Sequence, residues 1–311
     1  MDLPDGYSWR RATPDDVPAV LALGLAVDVE EYGEPDWEED DVRDDFARPR
    51  FDLGTDTWLV EAPDGSPAGY AAAWEREPSA VVVGDAFTHP DAPDLYPWLV
   101  AAISERTREH AAVSGEATAR VFSSAPNARR AAALRDAGYD ICRVFRRMVV
   151  DFDETPSPPP APGPGVTIRP VTPDDLPECH RIVTESFADH FGSVAEPYDV
   201  WHGHFVATGS YCPQYWWLAE VDGVPAGVLI GQRHDDKGWV KTLGTLPAAR
   251  GRGVGTALLL TAFQAFRDDG HPRAGLGVDS DNSTGAIGVY ERAGMRATHR
   301  YDCYQRVFTR S

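Results

Sequence analysis

The stretch LPAARGRGVGTALL at residues 246–259 places three glycines among two arginines, and an apolar run follows directly. Glycine loses more conformational freedom on folding than other residues, so such a cluster indicates backbone with positive φ or backbone that approaches another group closely. The neighbouring arginines favour an anionic group. The stretch therefore predicts a loop that opens a helix and binds an anion at the helix N-terminus.

Two nucleotide-binding motifs compete for this stretch, and neither fits it. A P-loop ends in GK[ST], but no lysine stands between Arg250 and Thr256. A dinucleotide-binding fingerprint reads GxGxxG, and Thr256 occupies the position of its last glycine. A further alternative is an ordinary glycine-rich turn between a strand and a helix, without a ligand.

The chain contains two copies of one pattern on either side of a proline-rich stretch, TPSPPPAPGPG, at residues 155–165. WRRATPDDVP from Trp9 matches IRPVTPDDLP from Ile168, and two further pairs of segments match in the same order. In each copy, strands alternate with helices and include a hairpin with a DG turn. The pattern predicts the α/β class. We expect tandem domains at residues 1–154 and 166–311, joined by a linker at 155–165. Each domain should be a mixed twisted sheet flanked by helices.

The second copy, residues 166–311, resembles the Gcn5-related N-acetyltransferases along its length. RGRGVG at 250–255 matches the [QR]xxGx[GA] pyrophosphate loop of that family. Asn282 and, eight positions on, Tyr290 match two further family positions, while Met295 stands where an aromatic residue is usual. The tandem arrangement resembles that of mycothiol synthases.

The resemblance implies that acetyl-CoA is the co-substrate. Its pantetheine arm would pair, like an added strand, with the backbone of Leu243, Gly244 and Thr245, and an N–H near Thr245 would polarise the thioester carbonyl. The pyrophosphate would bind the loop and the first helical turn, which comprise Arg250, Gly251, Arg252, Gly253, Val254, Gly255 and Thr256. The arginine side chains either add charge to this site or face solvent.

The resemblance also implies that Tyr290 is the catalytic residue, a general acid that protonates the departing thiolate. The alternative role of Tyr290 is packing between a helix and the sheet. Asn282 would bind the pantetheine arm, cap its own helix, or do both. We expect direct transfer in a ternary complex, because no cysteine falls where the motif would make it a nucleophile.

The acceptor and the general base are less defined by the sequence. The helical region that walls the acceptor cleft in this family contains four candidate acceptor-binding residues, which are Glu185, Asp189, His190 and Trp201. Alternatively, the carboxylates of Glu185 and Asp189 are solvated and bind no acceptor. Any of the four side chains, or a water molecule, is a candidate general base. We predict no metal site, because His202 and His204 point to different faces of a helix and lack further ligands.

The first copy lacks the residues that the resemblance makes catalytic. FTHPDAPDLYPWLV at 87–100 stands where the glycine loop is expected, and Leu134 stands where the second copy has Tyr290. We therefore expect this degenerate copy to have a structural role or to complete a cleft. Residues 28–45 contain eleven carboxylates, which form either a solvated surface or a region that attracts a cationic acceptor.

The composition narrows the partners further. The net charge of −20 disfavours nucleic acid, which needs basic patches, and favours a small cationic amine as acceptor. No apolar run is long enough for a membrane span, and the N-terminal residues do not read as a signal peptide. The four cysteines are scattered, which is typical of reduced thiols in the cytoplasm. We expect a cytoplasmic monomer or homodimer.

Three functions remain open at this stage. The first is an acetyl-CoA-dependent N-acetyltransferase that acts on a primary amine of a small acceptor. The second is acetylation of an amino-sugar conjugate, as in mycothiol synthesis. The third is an acyl-CoA-binding regulatory protein without turnover, which the intact loop and Tyr290 disfavour.

Overall fold

In the computed structural model, the described residues are 2–48, 50–76, 80–153, 162–234, 236–282 and 285–310. Strands alternate with helices, so the predicted α/β class is confirmed. The predicted linker at 155–165 lies outside the described residues as far as residue 161. Within these ranges, no helix is both long enough and apolar enough to cross a membrane.

Both halves of the chain have the same order of elements, apart from a short helix at Leu53–Asp56, which is extra in the first half. The first half contains β1 (Ser8–Arg10), α1 (Val17–Tyr32), α2 (Glu39–Phe46), α3 (Leu53–Asp56), β2 (Thr57–Glu61), β3 (Pro67–Glu75), β4 (Val81–Thr88), α4 (Tyr96–Ser114), β5 (Glu116–Ser124), α5 (Ala128–Asp136) and β6 (Asp140–Asp151). The second half contains β7 (Val166–Pro170), α6 (Leu176–Phe187), α7 (Tyr198–Phe205), β8 (Trp216–Val221), β9 (Val224–Arg233), β10 (Gly238–Thr245), α8 (Val254–Asp268), β11 (Arg273–Asp279), α9 (Ala286–Arg292) and β12 (Arg296–Thr309).

The chain forms two compact units that differ from the two halves of the sequence. The first unit contains Met1–Phe145 together with Arg300–Ser311, and the second contains Arg146–His299. Most of β12 therefore belongs to the first unit, and the second part of β6 belongs to the second. The first half thus contributes the second part of β6 to the second unit, and the second half contributes most of β12 to the first unit.

Each unit contains a mixed sheet, as predicted. In the first unit, β1 to β4 are antiparallel in chain order, β5 is parallel to β4, and β12 is antiparallel to β5. In the second unit, β7 to β10 are antiparallel, β11 is parallel to β10, and β6 lies beside β11. The two units therefore repeat one topology, which places β10 and β11 in the second unit where β4 and β5 lie in the first.

The TPDD segments form the same network in both units, which supports the duplication. In the first, the Thr13 N–H donates to Asp16 at 2.7 Å, and Arg10 donates to Asp16 at 2.7 Å and to Glu61 at 2.9 Å. The second unit repeats these contacts among Arg169, Thr172, Asp175 and Glu220. Thr13 and Thr172 are the N-cap residues of these segments, and the network connects each first strand to the helix after it.

The hairpin between β8 and β9 follows from its two turn residues. Asp222 and Gly223 have φ values of 54° and 79°, the paired positive angles that a two-residue hairpin turn of type I′ requires. The predicted DG turn is confirmed. It aligns β9 with β10, the strand that leads into the glycine loop.

Helix α8 is held against the sheet by its apolar face. Val254, Leu258, Leu259 and Phe263 are buried in the larger cluster of apolar residues in the second unit. The backbone of Gly227 permits the close approach, because a Cβ there would lie 2.6 Å from a methyl group of Val254. This packing fixes the N-terminus of α8 beside the end of β10.

Candidate active site

Strands β10 and β11 separate at the end that leads to the glycine loop. They pair in parallel over Gly238–Val240 and Ala274–Leu276, and β10 has a bulge between Val240 and Thr242. Beyond the bulge, Thr242–Thr245 pairs with β9, and in the described part of the chain no strand pairs with its other edge. The sequence-predicted residues Leu243, Gly244 and Thr245 therefore present backbone groups to an open cleft.

The glycine loop has the backbone geometry that its composition predicts. Gly251 and Gly253 have φ values of 78° and 82°, in the left-handed region that favours glycine, and Gly253 is the N-cap residue of α8. The first helical turn follows with Val254, Gly255 and Thr256, whose N–H groups have no partner within the helix. These N–H groups and the helix dipole form a site that suits a phosphate.

Gly255 leaves space between the loop and the strand. It lies in the helix rather than in a left-handed turn, and its nearest neighbour would be the Thr245 hydroxyl at 3.5 Å from an added Cβ. Neither backbone strain nor packing therefore requires glycine here. The space between Gly255 and Thr245 is therefore free for a small group.

The two arginines of the loop have different partners. Arg252 forms an ion pair with Asp222 at 3.0 Å, and 42% of its side chain is exposed. Arg250 donates to the backbone oxygen of Ser186 at 3.2 Å. Arg252 thus binds the hairpin turn, whereas Arg250 links the loop to the end of α6.

The end of α6 approaches β10 closely at Gly244. A Cβ at this position would lie 2.4 Å from the Ser186 hydroxyl, so the serine side chain would have to move for any larger residue. The approach brings the segment after α6 towards the open cleft. His190, one of the predicted acceptor-binding residues, lies in that segment.

His190 is the acceptor-side candidate with the most informative surroundings. Its ring contacts Phe187 edge to face at 4.5 Å between ring centres. Partial burial lowers the pKa of His190 below its usual value, and the positive charge of Arg250 lowers it further, while Asp279 and Asp189 oppose this change. The imidazole is therefore mostly unprotonated at neutral pH and can accept a proton.

The other three acceptor-side candidates lie in different environments. Glu185 is exposed and pairs with Arg181 at 2.8 Å, and Asp189 is exposed after the end of α6. Trp201 is only 2% exposed and packs against Phe205 and Trp216 in an apolar cluster. Trp201 therefore has a packing role, because its ring has no surface on which an acceptor could lie.

Tyr290 lies on α9 and is largely buried among apolar residues. Its exposed fraction is 8%, and burial alone raises its pKa to about 12. The phenol therefore keeps its proton through the neutral range. A group in this state can donate a proton to a thiolate, which is a stronger base in a dry site than in water.

Asn282 and its neighbours occupy the loop between β11 and α9. The Asn282 N–H donates to the backbone oxygen of Asp279 at 3.3 Å. Gly285 is the N-cap residue of α9, and residues 283 and 284, between Asn282 and this helix, lie outside the described residues. In the first unit, the corresponding Asn127 caps α5 and accepts from the Arg130 N–H at 3.0 Å.

One residue beside the cleft was missed by the sequence reasoning. The Ser280 hydroxyl is buried just beyond β11 and, among the described residues, has no hydrogen-bond partner. An unpaired buried hydroxyl is costly, so a ligand that enters the cleft would find a ready donor or acceptor there. The only signal in the sequence was the position of Ser280 between a buried strand and Asn282. The family motif does not include this position.

The comparisons with known proteins agree with this geometry. The Acetyltransferase (GNAT) family matches residues 176–295. A protein named mycothiol acetyltransferase from Thermomonospora curvata is 30% identical over 241 residues, which cover 76% of this chain and 78% of that protein.

Two solved structures share the fold over nearly the whole chain. A GCN5-related N-acetyltransferase from Sphaerobacter thermophilus superposes with a TM-score of 0.82 at 29% identity, covering 99% of this chain and 98% of the other. A tandem GNAT protein from the clavulanic acid biosynthesis pathway superposes with a TM-score of 0.71 at 16% identity, covering 97% and 98%. The chain therefore belongs to the Gcn5-related acetyltransferases, as a tandem-domain N-acetyltransferase whose co-substrate is acetyl-CoA.

Proposed function

We propose that the second unit transfers the acetyl group of acetyl-CoA directly to a primary amine of a small acceptor. The observation that carries this proposal is the open edge of β10 beside the N-terminus of α8. Backbone of Leu243–Thr245 lies along this edge, and the Gly251–Gly253 turn lies at its end. A linear ligand with an anionic end fits both features at once.

Different residues of the cleft bind different parts of acetyl-CoA. Leu243, Gly244 and Thr245 pair with the pantetheine arm through their backbone groups, and an N–H near Thr245 polarises the thioester carbonyl. The pyrophosphate binds the N–H groups from Arg250 to Thr256. Asn282 and the unpaired Ser280 hydroxyl add hydrogen bonds from the other side of the cleft.

Two residues move protons in the proposed reaction. His190 accepts a proton from the attacking amine, because its lowered pKa keeps the ring unprotonated. Tyr290 donates a proton to the departing thiolate, because its raised pKa keeps the phenol protonated. A carbon–nitrogen bond forms and a carbon–sulfur bond breaks. The products are the acetylated amine and CoA with its thiol restored.

The charge of the chain supports a cationic acceptor. Residues 1–155 contain 15 arginines against 32 acidic residues, so an amine that carries a positive charge in solution is attracted to the protein. The relative named mycothiol acetyltransferase favours a second candidate, an amino-sugar conjugate that is the deacetylated form of mycothiol. Both candidates use the same cleft and chemistry.

The experiment that tests the proposal measures CoA thiol release with acetyl-CoA and a panel of amines that includes deacetylated mycothiol. We expect turnover with at least one amine and, in Tyr290→Phe, a fall in kcat of about 100-fold or more with little change in acetyl-CoA affinity. Tyr198→Phe, on the exposed side of α7, is the matched control and should retain activity.

Three results would contradict the proposal. Acetyl-CoA binding without turnover on any amine would remove the transferase reaction from this unit. Unchanged kcat in Tyr290→Phe would remove Tyr290 as the acid. Failure to bind acetyl-CoA at all would contradict the function assigned to the glycine loop.

A further inference from the structure

The first unit contains a pocket whose lining residues all belong to that unit. It lies between α1, α2 and strands β3 and β4, and its unfilled space, including the open mouth, is about 370 Å³. Six aromatic side chains line it, which are Trp37, Phe46, Phe51, Tyr70, Trp74 and Phe87. A pocket with this lining suits the apolar part of a small organic ligand.

A carboxylate without a partner lies in this aromatic pocket. Asp85 is in the middle of β4, and within the described ranges its side chain has no hydrogen bond or ion pair. Asp85 is only partly exposed to solvent, and a partly buried charge without a partner is costly to the folded protein. The carboxylate therefore points to a missing positive charge.

The other two charged residues of the pocket compensate each other. Arg48 forms an ion pair with Asp45, and its guanidinium lies 4.1 Å from the centre of the Trp74 ring. The pocket already holds one cation against an aromatic face, so its walls suit positive charge. Because Asp45 balances Arg48, the negative charge of Asp85 is left over.

The second unit lacks this carboxylate. Strands β4 and β10 correspond in the repeat, and both end in threonine after eight residues. The residue three positions before that threonine is Asp85 in β4 and Thr242 in β10. The fold therefore does not require a carboxylate at this position, and Asp85 belongs to the chemistry of the first unit alone.

We propose that the first unit binds a small organic cation, an ammonium group with an apolar body, in this pocket. The ammonium group forms an ion pair with Asp85, and the apolar body packs between the aromatic rings. This site is separate from the acetyl-transfer site and does not depend on the function proposed for it. It gives the non-catalytic copy a ligand of its own.

The affinity should depend on pH in a defined direction. Burial raises the pKa of Asp85 to about 6, with a further increase from Asp45 and a decrease from Arg48. Tyr70 on β3 stays a neutral phenol, because burial raises its pKa as well, and α1 contributes the apolar Val20. Since the cation pairs with ionised Asp85, its binding weakens as the pH falls below about 6.

The test uses the full chain labelled with fluorotryptophan, without acetyl-CoA, so that no amine is consumed. The signals of Trp37 and Trp74 are assigned with Trp→Phe variants and report on the pocket in the first unit. The probe is phenethylammonium, and phenylethanol is its neutral counterpart. We expect saturable shifts of both signals with phenethylammonium, and binding of phenylethanol about ten-fold weaker.

Two isosteric variants complete the experiment. Asp85→Asn should weaken phenethylammonium binding by about ten-fold or more and leave phenylethanol binding unchanged. Asp40→Asn, an exposed position on α2 outside the pocket, removes the same charge and should bind as the wild type does. Equal binding in Asp85→Asn and wild type overturns the proposal, as does the absence of saturable shifts at millimolar probe. Equal loss in both variants also overturns it, because general attraction by the acidic surface would then explain binding.

Discussion

At the scale of single residues, the second unit contains two titratable groups whose pKa values move apart. Burial raises the pKa of Tyr290, whereas burial and the charge of Arg250 lower the pKa of His190. Such a pair suits an acid and a base that work in one reaction at neutral pH. The sequence identified Tyr290 through its spacing from Asn282. It did not rank His190 above its neighbours, because the approach of Arg250 depends on how α6 packs on Gly244.

His190 should control the acidic side of the pH profile. With saturating amine and acetyl-CoA, kcat of the wild type should fall as the pH drops through a pKa below 6.5, because protonated His190 cannot accept a proton. His190→Gln should have a lower kcat without that acidic decline. Asp189→Asn, which removes a charge that raises the pKa of His190, should shift the decline to lower pH without abolishing it. A persistent decline in His190→Gln would assign it to another group.

Asp85 should lower the stability of the first unit at neutral pH. The pKa of Asp85 in the folded protein is about 6, above the value of 3.8 for an ordinary aspartate. Between these two pH values the folded state binds more protons than the unfolded state. The free energy of unfolding therefore falls as the pH rises from about 3.8 to about 6. The full cost is present above that window and reaches about 3 kcal/mol at most. Asp85→Asn should therefore raise Tm at neutral pH, and the difference should vanish below the window. A lower Tm at neutral pH would show that the carboxylate stabilises the fold.

At the scale of elements, local sequence signals were sufficient where one turn or one cap decides the structure. The TPDD caps, the DG hairpin and the glycine loop all depend on contacts within a few residues, and the structure has each of them. Trp201 shows the limit of such signals. Its position on α7 was correct for a residue near the acceptor, but packing against β8 buries it.

Alanine substitutions at two glycines of the loop should distinguish an effect on stability from an effect on acetyl-CoA binding. Gly253→Ala should destabilise the protein by about 1–2 kcal/mol, because alanine is strained at positive φ. Gly255→Ala should instead stabilise α8 by up to about 1 kcal/mol, since glycine is a poor helix former. The same change should weaken acetyl-CoA binding by about ten-fold or more, because the added methyl group enters the cleft. Thermal unfolding and calorimetric titration of both variants measure the two effects. Unchanged acetyl-CoA affinity in Gly255→Ala would contradict the proposed position of the pyrophosphate.

At the scale of the whole molecule, the internal repeat predicted two units of one topology, and both are present. The destination of the last strands could not be predicted. The repeated order of strands and helices does not show which sheet the last strand of each half joins. That choice depends on contacts far apart in the sequence. Tyr304 and Phe308 of β12, for example, pack with Leu134 and Leu99 of the first half.

Removal of the C-terminal residues should therefore damage the first unit more than the second. Deletion of residues 300–311 takes away the strand that pairs with β5 from Tyr301 to Thr309, together with two buried aromatic side chains. Hydrogen exchange should show lost protection in β4, β5 and α4, with β8, β9 and α8 retained. Substitution of the exposed Val307 by threonine is the control and should leave exchange unchanged. Greater loss in the second unit would contradict the assignment of β12.

The same exchange of strands has a consequence for synthesis on the ribosome. Because β12 comes last in the chain, the nascent first unit has an uncovered β5 edge while the whole second half is translated, on the order of ten seconds or more. Such an edge can pair with neighbouring nascent chains. Mispairing of this edge is therefore most favoured while the chain is still being synthesised.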